Sequence, residues 1–130
     1  MERAVIVLDT HVLFWLAVDK QKLTAAARRA LKADRLVSAI SLRELAAMHA
    51  GGRFTVAGEL ADWLGDLLLE TDVEVVPIDV GIAARSVRIA WDFHGDPADQ
   101  IIAATAIELD APLVTADENL RRSPALQTIW

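Results

Sequence analysis

The stretch "AVIVL" at residues 4–8 carries no polar side chain on either of its alternating faces. A strand with one wet face alternates apolar and polar residues, whereas a strand apolar on both faces has to be covered on both. That run already demands a sheet with layers packed above and below it, and the rest of the chain supplies them. Helical patterns occupy residues 12–18 and 24–33. "LVSAI" (36–40) then predicts a second strand, and residues 41–50 predict a helix that Gly51 and Gly52 stop. Leu60, Trp63, Leu64, Leu67 and Leu68 fall at i, i+3, i+4, i+7 and i+8, an amphipathic helix. "VEVVPI" (73–78) predicts a third strand, with Pro77 placing it near an edge or an end. Val80, Ala83, Ala84, Val87, Ala90 and Trp91 repeat the helical spacing. The segment 98–109 is apolar nearly all round and is expected to be the most buried helix. "PLVTAD" (112–117) supplies a fourth strand and "LQTIW" (126–130) a fifth. Strands alternating with helices imply an α/β, three-layer sandwich around a central, mostly parallel sheet of four to five strands. With no repeat or linker, residues 1–130 are expected to form a single domain.

Composition removes several classes of function. The chain has no cysteine, which excludes disulfides, thiolate zinc sites and thiol catalysis. Its formal net charge is −6, from 13 basic and 19 acidic side chains. Such a protein repels nucleic acid at long range, so a role with nucleic acid needs local compensation. The apolar run before Asp9 is too short for a secretory signal, and "VLFWLAV" (12–18) is too short to cross a bilayer. A cytoplasmic protein with no membrane association is expected. "VLFWLAV", apolar on nearly every face, must be buried in the core or against another copy, and a homodimer is the expected assembly.

In a parallel α/β sheet, ligands bind beyond the carboxyl ends of the strands. Those ends carry acids here. The first strand runs into Asp9, the second into "SLRE" with Glu44, the third into Asp79, and the fourth through Thr115 into Asp117. Asp96 and Asp99 open the apolar helix that precedes the fourth strand. Each acid has a local explanation. "SLRE" matches a capping box with Ser41 as N-cap and Glu44 at N3. "DPAD" matches a helix start with Asp96 at N-cap, Pro97 at N1 and Asp99 at N3. Asp79 and Asp117 can cap the short helices after them. Asp9 has no capping box beside it. Carboxylates converging on one sheet edge repel each other, so the edge must raise their pKa values or bind a cation. With no cysteine and only three scattered histidines, an all-oxygen site suited to Mg²⁺ or Mn²⁺ is expected rather than zinc. Such ions serve phosphoryl chemistry.

Four pieces in order, "LDTHVLFWL", "SLRE", "HGDPADQIIAATA" and "PLVTADENL", resemble the PIN-domain ribonucleases, and among them the VapC-type toxins of toxin–antitoxin pairs. The likeness spans essentially the whole chain. It implies Asp9, Glu44, Asp99 and Asp117 as the metal-binding, catalytic acids. Asp9 and Asp99 are expected to hold the principal ion, and Asp96 is a further acid shared by many relatives. It also implies RNA hydrolysis with Mg²⁺ or Mn²⁺ that leaves 5′-phosphate and 3′-hydroxyl ends, a dimer, and silencing by a cognate antitoxin protein. Gln100 departs from the family pattern, where many relatives carry Arg after the matching aspartate; a cation that could orient a carboxylate or meet the substrate is missing. Thr10 and Thr115 are candidate supporting hydroxyls. His11 is expected to pack or cap locally.

Basic residues fall in three groups: Arg28, Arg29, Lys32 and Arg35 on one predicted helix, Arg85 with Arg88, and Arg121 with Arg122. The last pair, just after Asp117, is the expected RNA contact. Other strand-end aspartate enzymes fit poorly. A haloacid-dehalogenase-type phosphatase needs a second acid where His11 stands, and a phospho-receiver domain needs a lysine that "LVTADEN" lacks. The remaining alternative is a PIN-like module that binds RNA or protein with little turnover.

Overall fold

The structure, a computed structural model, describes residues 4–89 and 96–130. Five parallel strands form one sheet: β1 (Val5–Leu8), β2 (Asp34–Ser38), β3 (Val73–Val76), β4 (Leu113–Val114) and β5 (Thr128–Ile129). Their spatial order is β3-β2-β1-β4-β5, with Leu8 opposite Val37 on one side and Val114 on the other. The chain therefore winds outward from β1 to β3, returns, and winds the other way from β4. Its direction reverses between β1 and β4, where the loops leaving the two strands diverge and open a crevice.

Central β1 is covered on both faces, as its composition demands. Ile6 and Leu8 pack with Val12 and Leu16 of α1 (Thr10–Val18) and with Ala27 of α2 (Ala25–Ala30). Val7 points the other way, onto Ile102, Ala103 and Ala106 of α6 (Pro97–Glu108). Leu13 of α1 joins Val37, Leu45 of α3 (Ala39–Ala50) and Leu67 of α4 (Leu60–Thr71) in a third cluster. Each large aliphatic side chain buried in these clusters contributes roughly 1.5–3 kcal/mol. The run from Ile102 to Ala106 is buried without a break, so α6 is the enclosed helix its sequence predicts. Pro77 follows β3, which is an edge strand.

Several boundaries differ from the sequence expectation. The second strand is Asp34–Ser38, not 36–40, and α3 begins at Ala39. Ser38 caps that helix, its hydroxyl accepting from Ile40 N at 3.2 Å. Ser41 is therefore inside the helix and the expected capping box does not form; Ser41 and Glu44 are left to bond elsewhere. Gly52 closes α3 with φ +79°, a left-handed conformation that glycine adopts without cost. The basic group at 28–35 is not on one helix, because α2 ends at Ala30 and Arg35 belongs to β2.

The largest departure is α5 (Val80–Arg88). Its predicted apolar stripe, Val80, Ala83, Ala84 and Val87, faces solvent, with Val80 90% and Val87 67% exposed. Ile82 and Ser86 are buried instead. Two contacts fix that rotation: Asp79 caps the helix by accepting from Ile82 N, and Arg85 Nε meets Glu108 of α6 at 2.5 Å. Ala90, Trp91 and His94 lie outside the described residues. Among the described residues, no helix is long and apolar enough to cross a membrane.

Candidate active site

The crevice between β1 and β4 is a cleft of about 280 Å³ lined by Asp9, Glu44, Asp96, Asp99 and Asp117, with His11, Trp15 and Ala116. Topology brings these acids together from across the sequence. Asp9 leaves β1 and is N-cap of α1, Glu44 faces the cleft from α3, Asp96 and Asp99 open α6, and Asp117 follows β4. Asp79, at the end of edge strand β3, does not line the cleft and serves its helix as a cap.

Asp9 is the most enclosed acid, only 6% exposed. Its Oδ1 accepts from Thr10 N at 2.8 Å and its Oδ2 from Thr115 Oγ1 at 2.7 Å. Thr115 Oγ1 in turn accepts from Asp117 N at 3.0 Å, so one buried hydroxyl ties the ends of β1 and β4. Thr10 does the same toward α3: its Oγ1 hydrogen-bonds Glu44 Oε1 and pairs with Ser41 Oγ at 2.8 Å. Both threonines therefore hold acids in place. Asp96 accepts from Ala98 N and Asp99 N, which keeps Asp99 on the first turn of α6. Asp117 accepts from Leu120 N and caps α7 (Glu118–Arg121).

The electrostatics follow from that gathering. Burial pushes the Asp9 carboxyl above its ordinary range, opposed by its bonds to Thr115 and Thr10. Glu44 is also raised, first by desolvation, with the Asp9 and Asp96 charges adding and the Thr10 hydroxyl opposing. Asp99 is raised furthest, from 3.8 to about 8, by desolvation and then by repulsion from Asp96, Asp9, Asp117 and Glu44. His11, exposed and 5.9 Å from the Trp15 ring, partly offsets the rise at Asp9 and Glu44. Among the described residues, no three of these side chains stand as a ready-made chelating group. The donor set nevertheless fits a hard divalent ion. All donors are carboxylate oxygens, and Mg²⁺ characteristically takes one or two carboxylates while keeping several waters. The mutual repulsion at Asp99 is what a cation in the cleft would relieve.

Arg121 and Arg122 do not line the cleft; both are exposed, and Arg122 pairs with Glu118 at 3.1 Å. The cations that approach it are Arg43 and Arg53, which line an adjoining cavity and which the charge-run reading passed over. For Arg43 the signal was helical spacing, since Ile40, Arg43, Glu44, Ala47 and Met48 share one face of α3; Arg53 lies beyond the end of that helix, and no spacing pointed to it.

An all-parallel α/β sheet with carboxylates gathered over its topological switch point defines a class whose site is built from acids, without any thiol. Within that class the chain belongs to the PIN domain family, which matches residues 6–126. It is 41% identical over 129 residues to Ribonuclease VapC22 of Mycobacterium tuberculosis (strain ATCC 25618 / H37Rv), covering 96% of this chain and 98% of the relative. Its fold matches VapBC2 from Rickettsia felis, solved bound to a promoter DNA fragment, with TM-score 0.69, 19% identity, and 95% and 96% of the two chains covered. DNA-bound VapBC from Salmonella typhimurium gives TM-score 0.65, 18% identity, and coverage of 98% and 97%.

Proposed function

We propose that this chain is a divalent-metal-dependent endoribonuclease and the toxin component of a toxin–antitoxin pair, acting as a single domain over residues 1–130. The observation that carries the reading is the convergence of Asp9, Glu44, Asp99 and Asp117 from four separate elements on one cleft. The likeness to a named ribonuclease over nearly the whole chain supports the activity, and the folds shared with VapBC complexes support an antitoxin partner. RNA is the substrate, Mg²⁺ or Mn²⁺ the ion, and the cytoplasm the compartment. A homodimer is also proposed, and the exposed apolar face of α5 supports it.

Asp9 and Asp99 are the principal ligands in this reading, with Glu44 and Asp117 completing the set. When bound, the ion supplies Lewis acidity, neutralising charge that develops on a phosphodiester and easing the deprotonation of water. The protein does the positioning. Thr115 and Thr10 N hold both Asp9 oxygens, the Thr10 hydroxyl holds Glu44, and the Asp96 cap sets Asp99 on the first turn of α6. Preorganised acids need no rearrangement as the reaction proceeds.

The test is cleavage of end-labelled RNA by purified protein with Mg²⁺ or Mn²⁺ against EDTA, beside Asp99→Asn. Metal-dependent cutting that the substitution reduces by more than about 100-fold is expected, beyond the 10–100-fold typical of residues that only support a ligand. The fragments are expected to carry 5′-phosphate and 3′-hydroxyl ends. A 2′,3′-cyclic phosphate, or cutting indifferent to EDTA and to Asp99→Asn, rules the reading out.

A further inference from the structure

A second cavity, about 580 Å³, opens beside the acid cleft and shares His11, Glu44 and Asp96 with it. Its other walls differ in character. Ile40, Ala47 and Met48 of α3 face Pro97 and Ala98 of α6, and Arg43 and Arg53 border it. Both arginines are exposed, and among the described residues neither guanidinium has a hydrogen-bond or ion-pair partner. Arg28 is committed to Lys20 O, Arg35 to Leu31 O and Thr71 O, Arg85 to Glu108, and Arg122 to Glu118. Arg29, Arg88 and Arg121, like Arg43 and Arg53, have no side-chain partner among the described residues, but these three line neither the cleft nor this cavity.

We propose that this cavity is a nucleoside subsite. It takes the base next to the phosphodiester that lies over the acids, with Arg43 and Arg53 on the adjoining phosphate, and so selects the sequence that is cut. The inference rests on the ribonuclease reading and names its specificity determinant. The volume lies within the roughly 300–1,000 Å³ of small-molecule sites. Apolar walls suit the flat face of a base, and the Met48 thioether is a soft, adaptable partner for an aromatic ring. Guanidinium groups match phosphate in charge and geometry. They also answer how a chain of net charge −6 holds RNA: the compensation is local, in the cavity that adjoins the acids. In the lining Arg43 and Arg53 offset Glu44 and Asp96, so it is the position beside the acid cleft, together with the apolar walls, that favours RNA as the occupant.

The experiment measures binding of labelled single-stranded oligoadenylate, oligouridylate and mixed-sequence RNA, each against a series of salt concentrations. Asp99→Asn is the parent, so that RNA is held and not cut. Arg43→Gln and Arg53→Gln are each expected to weaken binding about threefold to tenfold and to reduce the log–log salt slope by about 0.7. Ala47→Trp, at an exposed helical position, fills the cavity; about tenfold weaker binding with an unchanged salt slope is expected. Arg29→Gln, at an exposed position of α2, is the charge-matched control and leaves binding at the parent level. An RNA with one abasic position, offered to the parent, reads the same subsite without altering the protein, and a loss at one register is expected. If all three cavity variants bind RNA as the parent does while the wild type still cuts, the subsite is overturned and the ribonuclease reading stands. Loss of a basic peptide partner in these variants, with RNA binding intact, also overturns it and gives the cavity to a protein. If the parent binds no RNA and the wild type cuts none with either metal, both readings fall together.

Discussion

The two ends of the sheet treat charge in opposite ways. At the amino end, the Arg35 guanidinium of β2 is held by the backbone, donating to Leu31 O at 2.9 Å and to Thr71 O at 2.6 Å. At the carboxyl end, Asp9, Glu44 and Asp99 are partly or fully buried, crowd one another, and are raised in pKa. One end spends its charged side chain on joining elements; the other holds charges that oppose the fold until something positive arrives. The contrast separates residues that keep the protein folded from residues that the fold keeps ready.

The largest effect that would break this contrast is at Asp99. Asp99→Asn removes the most strained charge, so the metal-free protein is expected to melt several degrees higher at pH 8 while cleavage is lost. Calorimetric melting with EDTA reads the first and RNA cleavage the second. An unchanged or lower melting temperature would mean that the acids do not oppose folding.

The pH dependence sharpens the same point. Asp99 in the folded chain titrates at about 8 and in the unfolded chain near 3.8, so the native state binds more protons between those values. The stabilisation from its raised pKa is fully present below the unfolded value and is lost as pH rises toward 8. Denaturant unfolding in EDTA should therefore show stability falling from about pH 4 to pH 8, with excess Mg²⁺ flattening the fall. Metal binding should also release protons near neutral pH, detectable by calorimetry in buffers of different ionisation enthalpy.

At the opposite end, Arg35→Gln is expected to cost about 1–3 kcal/mol in urea unfolding, because it weakens charge-assisted bonds to two carbonyls. RNA cleavage under folding conditions is expected to stay at the wild-type level. The smallest effect belongs to Asp79→Ala, which removes the α5 cap and should cost about 1 kcal/mol without touching cleavage. Strand-end acids would then divide cleanly into Asp79, which serves stability, and the acids of the cleft. Reduced cleavage in a fully folded Asp79→Ala chain would erase that division.

The acids were readable as strand-end residues before any geometry, because parallel strands deliver their carboxyl ends to one edge. That logic included Asp79 with the rest. Only strand order excluded it: β3 is at the sheet edge, two strands away from the switch point between β1 and β4. Helical periodicity located α5 but did not give its orientation. Val80, Ala83, Ala84 and Val87 form a stripe as good as any core face, yet the Asp79 cap and the Arg85–Glu108 pair turn Ile82 inward. The capping box at Ser41 failed for a related reason. A local motif competes with its neighbours, and Ser38 at the strand end took the cap first, freeing Glu44 for Thr10.

By itself the sequence determined what is a matter of composition along the chain. A strand apolar on both faces requires helices on both, an uncharged α6 core segment requires burial, and the absence of cysteine confines the site to oxygen donors. Tertiary structure decided what depends on distance between elements far apart in sequence. It bridged Asp9 to Asp117 through the Thr115 hydroxyl, 106 residues from its partner Asp9, and it set Arg43 and Arg53 beside the acids while leaving Arg121 and Arg122 outside the cleft. Periodicity reports which face of an element is apolar. Which face meets which neighbour is a property of the packed whole.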